Sequence, residues 1–183
     1  HTLADITDEE RRAALALPAA AHPRSRELAA AWRAEAPDDD AVIDAALARF
    51  AADPYAYTLT PPVLDGDPID GFLFDTKQGF CEHYAAAFVV LMRASGIPAR
   101  VVTGYQGGEY NGVSDYMLIR QRDAHAWAEV WLPQRGWVRV DPTAAVAPER
   151  VSLGIGEFRT GEAPLPMLSE SAAAVAMWRN ARQ

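Results

Sequence analysis

The chain has 183 residues, half of them hydrophobic, enough for one sizeable core and short of what several domains need. Its 17 basic and 25 acidic residues leave a formal net charge of −8, which repels a phosphate backbone or an anionic lipid surface and excludes nucleic acid as a partner class. No apolar run approaches the roughly 20 residues of a bilayer-spanning helix and no signal-peptide pattern opens the chain, so as given it reads as soluble.

In chain order the sequence divides into a helical front (1–53), a mixed centre (54–146) and an extension (147–183), read together as a single domain. Thr7 and Glu10 have capping-box spacing, "SRELAAAWRAEAP" is rich in helix formers up to Pro37, and "DDDAVIDAALARFAADP" opens on N-cap aspartates. In that third segment Val42, Ile43, Ala46, Leu47 and Phe50 recur at helical spacing and form one apolar face. "YAYTLTPPVL" is a short extended piece stopped by two prolines. A helix begins near Cys81, with Tyr84, Phe88, Leu91 and Met92 on its buried face and Gly96 and Pro98 as its stop.

Beyond that stop the period changes from helix to strand. "ARVVTGY", "YMLIRQRDAHAWAEVWL" and "GWVRVDPT" are β-branched and aromatic, and the last two are joined by a Pro-Gln-Arg-Gly turn. A run of helices followed by a run of strands predicts an α+β fold with an antiparallel sheet. "GYQGGEYNGVSDY", residues 104–116, reads as a mobile loop and a candidate lid. From Ala144 onward periodicity fades, until "ESAAAVAMWRNARQ" offers a terminal helical stretch.

Cys81 is the only cysteine, so no internal disulfide forms and the redox compartment stays open. It stands at the junction of a glycine-containing loop and a helix, where free N–H groups and the helix dipole favour a thiolate. In "DAHAWAEVW" alternation puts His125, Trp127, Glu129 and Trp131 on one face and the alanines on the other. Whether Asp141 shares the His125 face depends on the turn. A two-residue loop at Gln134 and Arg135 separates them, whereas a three-residue loop from Pro133 to Arg135, with Gly136 as a bulge, unites them. A histidine that takes the thiol proton, itself oriented by a carboxylate, needs the second arrangement.

"GFCEHYA", "GIPARVVTGY", "DAHAWAEVWL" and "GWVRVDPT" together resemble the transglutaminase-like core, in particular that of bacterial membrane proteins which carry such a domain on the periplasmic side. The four blocks cover roughly residues 72–146. The resemblance implies a papain-like fold with the cysteine at the start of a central helix packed on the sheet. It also implies Cys81 as nucleophile, His125 as general base and Asp141 as orienting acid. Transmembrane helices before His1 and after Gln183 are part of the same expectation, and a first residue other than Met fits an excised domain. No cofactor is implied. The expected partners are a protein or peptide glutamine as acyl donor and an amine as acceptor.

Taken singly, these residues have plainer readings. A lone cysteine beside apolar residues is usually core, His125 among tryptophans a hydrogen-bonded core histidine, and Asp141 before Pro142 a turn cap. Their joint occurrence argues for chemistry. A zinc site is disfavoured, because Cys81 and His83 at the start of a helix diverge by about 200°. Gln78 and the backbone N–H of Cys81 are candidate oxyanion donors. Trp127, Trp131 and Trp137 are candidates for lining an acyl-chain cleft, or else sheet-packing aromatics. The same three residues support transglutamination, deamidation or proteolysis, and the rival from another class is a non-catalytic module that binds peptide or cell-wall components.

Overall fold

The computed structural model of the chain describes residues 5–52 and 54–152. Helix α1 (Asp8–Leu15) starts on the capping box: Thr7 Oγ1 accepts from the Glu10 N–H at 3.2 Å while the Glu10 carboxylate accepts from the Thr7 N–H at 2.9 Å. Helix α2 (Pro23–Glu35) opens on a proline, whose missing N–H costs nothing in a first turn. Helix α3 (Asp39–Ala52) is capped by Asp38, which accepts from the Ala41 N–H at 2.9 Å. Its face of Val42, Ile43, Ala46, Leu47 and Phe50 is buried throughout, as the spacing predicts.

Helix α5 (Cys81–Ala94) runs through the middle of the core, with Tyr84, Phe88, Leu91 and Met92 fully buried. Phe88→Ala there should cost about 3–5 kcal/mol, the usual range for emptying a phenylalanine site. The helix ends at Gly96, whose φ of +81° lets the Ile97 N–H turn back to the Met92 carbonyl at 2.9 Å. The chain then enters an antiparallel three-stranded sheet of order β3–β6–β7, formed by β3 (Ala99–Tyr105), β6 (Ala124–Leu132) and β7 (Gly136–Val140). Ala126, Ala128 and Val130 of β6 are buried. Their small face lies toward α5, where bulkier side chains would hold the helix off the sheet.

Ahead of α5, β1 (Ala56–Tyr57) pairs in parallel with β2 (Gln78–Gly79). Between them lie a single helical turn, α4 (Pro68–Asp70), capped by Asp67, and a π-helical turn over Gly71–Thr76 that buries Phe72 and Leu73. Neither turn was expected from the sequence.

Two further expectations are corrected. Residues 104–116 are not a loop: after β3 they build β4 (Glu109–Asn111), which pairs with β5 (Tyr116–Leu118) in its own antiparallel hairpin. The stretch expected as one strand from Tyr116 to Leu132 is broken by a 3-10 turn at Gln121–Asp123, fixed by the Asp123 carboxylate accepting from the Arg120 N–H at 2.8 Å. The region after Ala144 contributes a short helix, α6 (Pro148–Ser152). The helical stretch expected at "ESAAAVAMWRNARQ" lies outside the described residues. Among the described residues no helix is long and apolar enough to cross a membrane.

Candidate active site

Cys81 is the first residue of α5 and is buried, with its helix N-terminus brought close to β2 by Gly79. A Cβ at Gly79 would lie 2.7 Å from the His83 side chain and 3.0 Å from Phe72, so only glycine allows this approach. Gly79 also pairs with Tyr57 across β1–β2, and its carbonyl accepts from the Thr58 N–H at 2.8 Å. One glycine therefore sets both the entry to the helix and the tyrosine beside it.

The β6–β7 turn has three residues, Pro133 to Arg135, between the paired ends Leu132 and Gly136. Gln134 and Gly136 both take positive φ, 66° and 73°, and the Arg135 N–H donates to the Leu132 carbonyl at 3.1 Å. This register puts Glu129 opposite Arg139 and Trp131 opposite Trp137, so His125 and Asp141 share a face. His125 Nε2 lies 2.7 Å from Asp141 Oδ2, and the ring is completely enclosed. Asp141 is held in turn from three sides: Oδ2 also accepts from Arg139 at 3.3 Å, and Oδ1 caps the 3-10 turn Pro142–Ala145 through the Thr143 N–H at 3.2 Å.

With Nε2 engaged, Nδ1 of His125 is the nitrogen left for the thiol, and no oxygen or nitrogen partner competes for it. Cys81 and Ala85 pack on Ala126, the residue next to His125, which sets the sulfur beside the imidazole. Burial opposes ionisation of Cys81, but hydrogen bonds from His125 and the Ala126 N–H, with the charges of His125 and Arg150, outweigh it and bring the thiol below its ordinary value. Burial likewise opposes protonation of His125, and here too it is outweighed: hydrogen bonds to Asp141 and Cys81, with their charges, raise its pKa. Both shifts favour a thiolate–imidazolium pair.

Cys81 and His125 border a cavity of about 320 Å³ that is also lined by Tyr57, Thr103, Gly104 and Arg150, among others; Asp141 lies behind His125, outside that lining. Tyr57 and Arg150 carry no local signal in the sequence. The fold brings Tyr57 in from a two-residue strand and Arg150 from the short helix beyond the last strand. Burial raises the Tyr57 pKa and the nearby Cys81 charge adds to it, while hydrogen bonds to Arg150 and to the Cys81 N–H act the other way. The Cys81 N–H thus lies beside the Tyr57 hydroxyl at the edge of the cavity.

The other sequence candidates stand elsewhere. Gln78 is exposed on β2 and does not border the cavity, because the parallel pairing with β1 turns it away. None of the three tryptophans lines the cavity either; each lies under an arginine. Arg139 covers Trp127 at 4.2 Å, Arg11 covers Trp131 at 4.7 Å, and Arg100 covers Trp137 at 4.0 Å. Trp127 also flanks His125 at 6.3 Å between ring centres. It closes over Gly104, where a Cβ would come 2.9 Å from the indole. They are sheet-covering aromatics.

Comparison with known proteins bears on the family and the fold. The family model of the transglutaminase-like superfamily matches residues 26–142. A protein-glutamine gamma-glutamyltransferase of Pseudomonas aeruginosa is 51% identical over 148 residues, 81% of this chain and 22% of that protein, so the chain spans about a fifth of this relative's length. The crystal structure of the periplasmic domain of TgpA from Pseudomonas aeruginosa superposes with a TM-score of 0.81 at 50% identity, over 83% of this chain and 53% of that one. A candidate cysteine protease from Cytophaga hutchinsonii shares the fold, with a TM-score of 0.55 at 19% identity over 81% of this chain and 50% of that one. The α+β architecture is thus the papain-like one.

Proposed function

The chain belongs to the transglutaminase-like superfamily, and from that premise we propose that it transfers the acyl group of a protein or peptide glutamine to an amine through a thioester on Cys81. The observation that carries this reading is the alignment of Cys81 at the start of α5 with His125, whose far nitrogen is bound by Asp141 at 2.7 Å.

The thiolate attacks the carboxamide carbon, and the Cys81 N–H, at the positive end of the helix dipole, receives the developing oxyanion. His125 donates its Nδ1 proton to the departing ammonia and leaves a neutral thioester. An amine then attacks, His125 takes its proton, and collapse restores the thiolate. Asp141 keeps the Nε2 proton in place throughout, which holds Nδ1 toward the sulfur. Water in place of the amine gives deamidation as the competing outcome. The family resemblance and the TgpA domain support a periplasmic setting as one domain of a membrane protein.

Incubation with a glutamine peptide and excess labelled primary amine tests the reading. We expect covalent incorporation that disappears in Cys81→Ala. Ammonia release without incorporation would make the protein a deamidase, and new peptide N-termini would make it a protease. No product from any donor, with Cys81 still reactive, would favour a binding module.

A further inference from the structure

Arg150 sits where an arginine is rarely found. A fully buried guanidinium nearly always faces an anion, yet Arg150 is 1% exposed and forms no ion pair with a carboxylate among the described residues. It donates to the Ala124 carbonyl at 3.0 Å and to the Tyr57 hydroxyl, while its Nε and Nη1 have no partner. It borders the cavity that holds Cys81 and His125.

The other ionic groups there do not offset it. Arg122 is neutralised by Glu109 at 2.7 Å and Asp123 at 3.9 Å, and Glu82 is exposed, where water and salt screen its charge. In the resting site the thiolate and the imidazolium balance each other. Once the sulfur is acylated and His125 has given up its proton, both charges vanish; the Asp141 carboxylate, outside the cavity lining, stays paired with Arg139 at 3.3 Å, and the buried cation of Arg150 remains. A neutral donor leaves that charge uncompensated, whereas a donor bearing a carboxylate supplies the missing anion in a medium where the attraction is weakly screened.

We propose that Arg150 makes the cavity selective for acyl donors that carry a carboxylate close to the reacting carboxamide, on an acidic neighbour of the glutamine or on a free C-terminus. The inference rests on the reading of Cys81 as the acyl-accepting thiol. Arg150 acts through its charge and is a specificity-determining residue, not a catalytic one.

Iodoacetate and iodoacetamide, alike in size and different in charge, report on this without any turnover. The ratio of their alkylation rates at Cys81 should fall by about tenfold in Arg150→Gln, since the attraction of His125 is common to both proteins and cancels. Arg150→Lys should keep most of the ratio. An unchanged ratio in Arg150→Gln, or an equal fall in Arg150→Lys, overturns the proposal. Should the glutamine variant not fold, His125→Ala, which removes the imidazolium, still decides: glutaramate should protect Cys81 from iodoacetamide at about tenfold lower concentration than neutral glutaramide, and equal protection sinks the idea.

Two donor peptides separate the sources of the carboxylate, one with glutamate beside the glutamine and an amidated end, the other ending in glutamine with a free carboxylate. Faster amine incorporation from either than from a neutral amidated peptide supports the proposal and identifies the source. No advantage for either rejects it. A charge-dependent alkylation ratio without incorporation from any donor would sink the acyl-transfer reading and, with it, the donor selectivity that rests on it, while incorporation with a flat ratio would sink only the role of Arg150.

Discussion

The described residues build two antiparallel hairpins, β4–β5 and β6–β7, and they differ in what holds them. In β6–β7 the alanine face lies toward α5, and the opposite face carries tryptophans capped by arginines. In β4–β5 every strand residue is exposed except the half-buried Asn111, and the turn is set locally: Asn111 Oδ1 accepts from the N–H groups of Val113 and Ser114 at 3.0 and 3.1 Å. The first hairpin carries His125 and ends at Asp141; the second carries none of the three candidate catalytic groups. A proton relay needs its atoms fixed within a fraction of an ångström, and in this chain packing on both faces supplies that fixity.

The sharpest way to break the contrast is at the end of β7. Asp141→Asn preserves the cap on Thr143 through its carbonyl oxygen but can turn its NH₂ toward His125 Nε2. Nε2 then becomes the acceptor and the proton moves to Nδ1, so the neutral ring can no longer take a proton from the thiol. Turnover should fall by as much as about 10⁴-fold with the fold unchanged by circular dichroism. Wild-type turnover in Asp141→Ala would remove this residue from the mechanism.

A smaller effect is expected in the pH profile of alkylation. The Cys81 pKa is lowered and that of His125 raised, so both shifts favour the ion pair, and the thiolate appears at lower pH than in an ordinary cysteine. The rate of iodoacetamide labelling should therefore rise with an inflection below that of a free thiol. In His125→Ala, burial is opposed only by the Ala126 N–H and the charge of Arg150, and the inflection should move up. An inflection that stays in place would show that His125 does not ionise the thiol.

Stability should respond to the same packing. Ala128 is fully buried on the β6 face toward α5, opposite Val101 on one side and Val140 on the other. Ala128→Leu forces three extra carbons into that layer and should cost about 1–3 kcal/mol in urea unfolding. The displaced strand would carry His125 with it, so activity should fall by more than the loss of folded protein explains.

Much of the β6–β7 side was legible in the sequence because its signals are local and mutually constraining. Strict alternation assigns His125 and the alanines to opposite faces, and the Pro-Gln-Arg-Gly turn leaves two loop lengths, of which one unites His125 with Asp141. The structure adopts the three-residue turn. What alternation does not encode is the layer across the face. The tryptophans of that face are covered by Arg11, Arg100 and Arg139, two of them from distant parts of the chain, and are not among the residues lining the cavity at Cys81. The direction of Gln78 is not written locally either, since it is set by the pairing of β2 with β1. Arg150 lies where periodicity fades, and only tertiary structure takes it to the cavity. The β4–β5 hairpin was read as a loop because its glycines and polar residues mark a turn, while its strands are too short to show a period.

The smallest effect is expected where the second hairpin turns. Val113 is 98% exposed between the two N–H groups that Asn111 gathers. Val113→Ser removes apolar surface that was never taken from water, and it leaves the turn's hydrogen bonds in place. Stability should change by less than about 0.5 kcal/mol in urea unfolding, and the Cys81 alkylation profile should not move. A loss comparable to that of Ala128→Leu would mean that β4–β5 is packed in solution, and its difference from the catalytic hairpin would disappear. Asn111→Ala is the informative partner: it releases both turn N–H groups while leaving β6 and β7 untouched. Local amide exchange in 109–118 should accelerate while that of β6 stays slow, so that the two hairpins open independently.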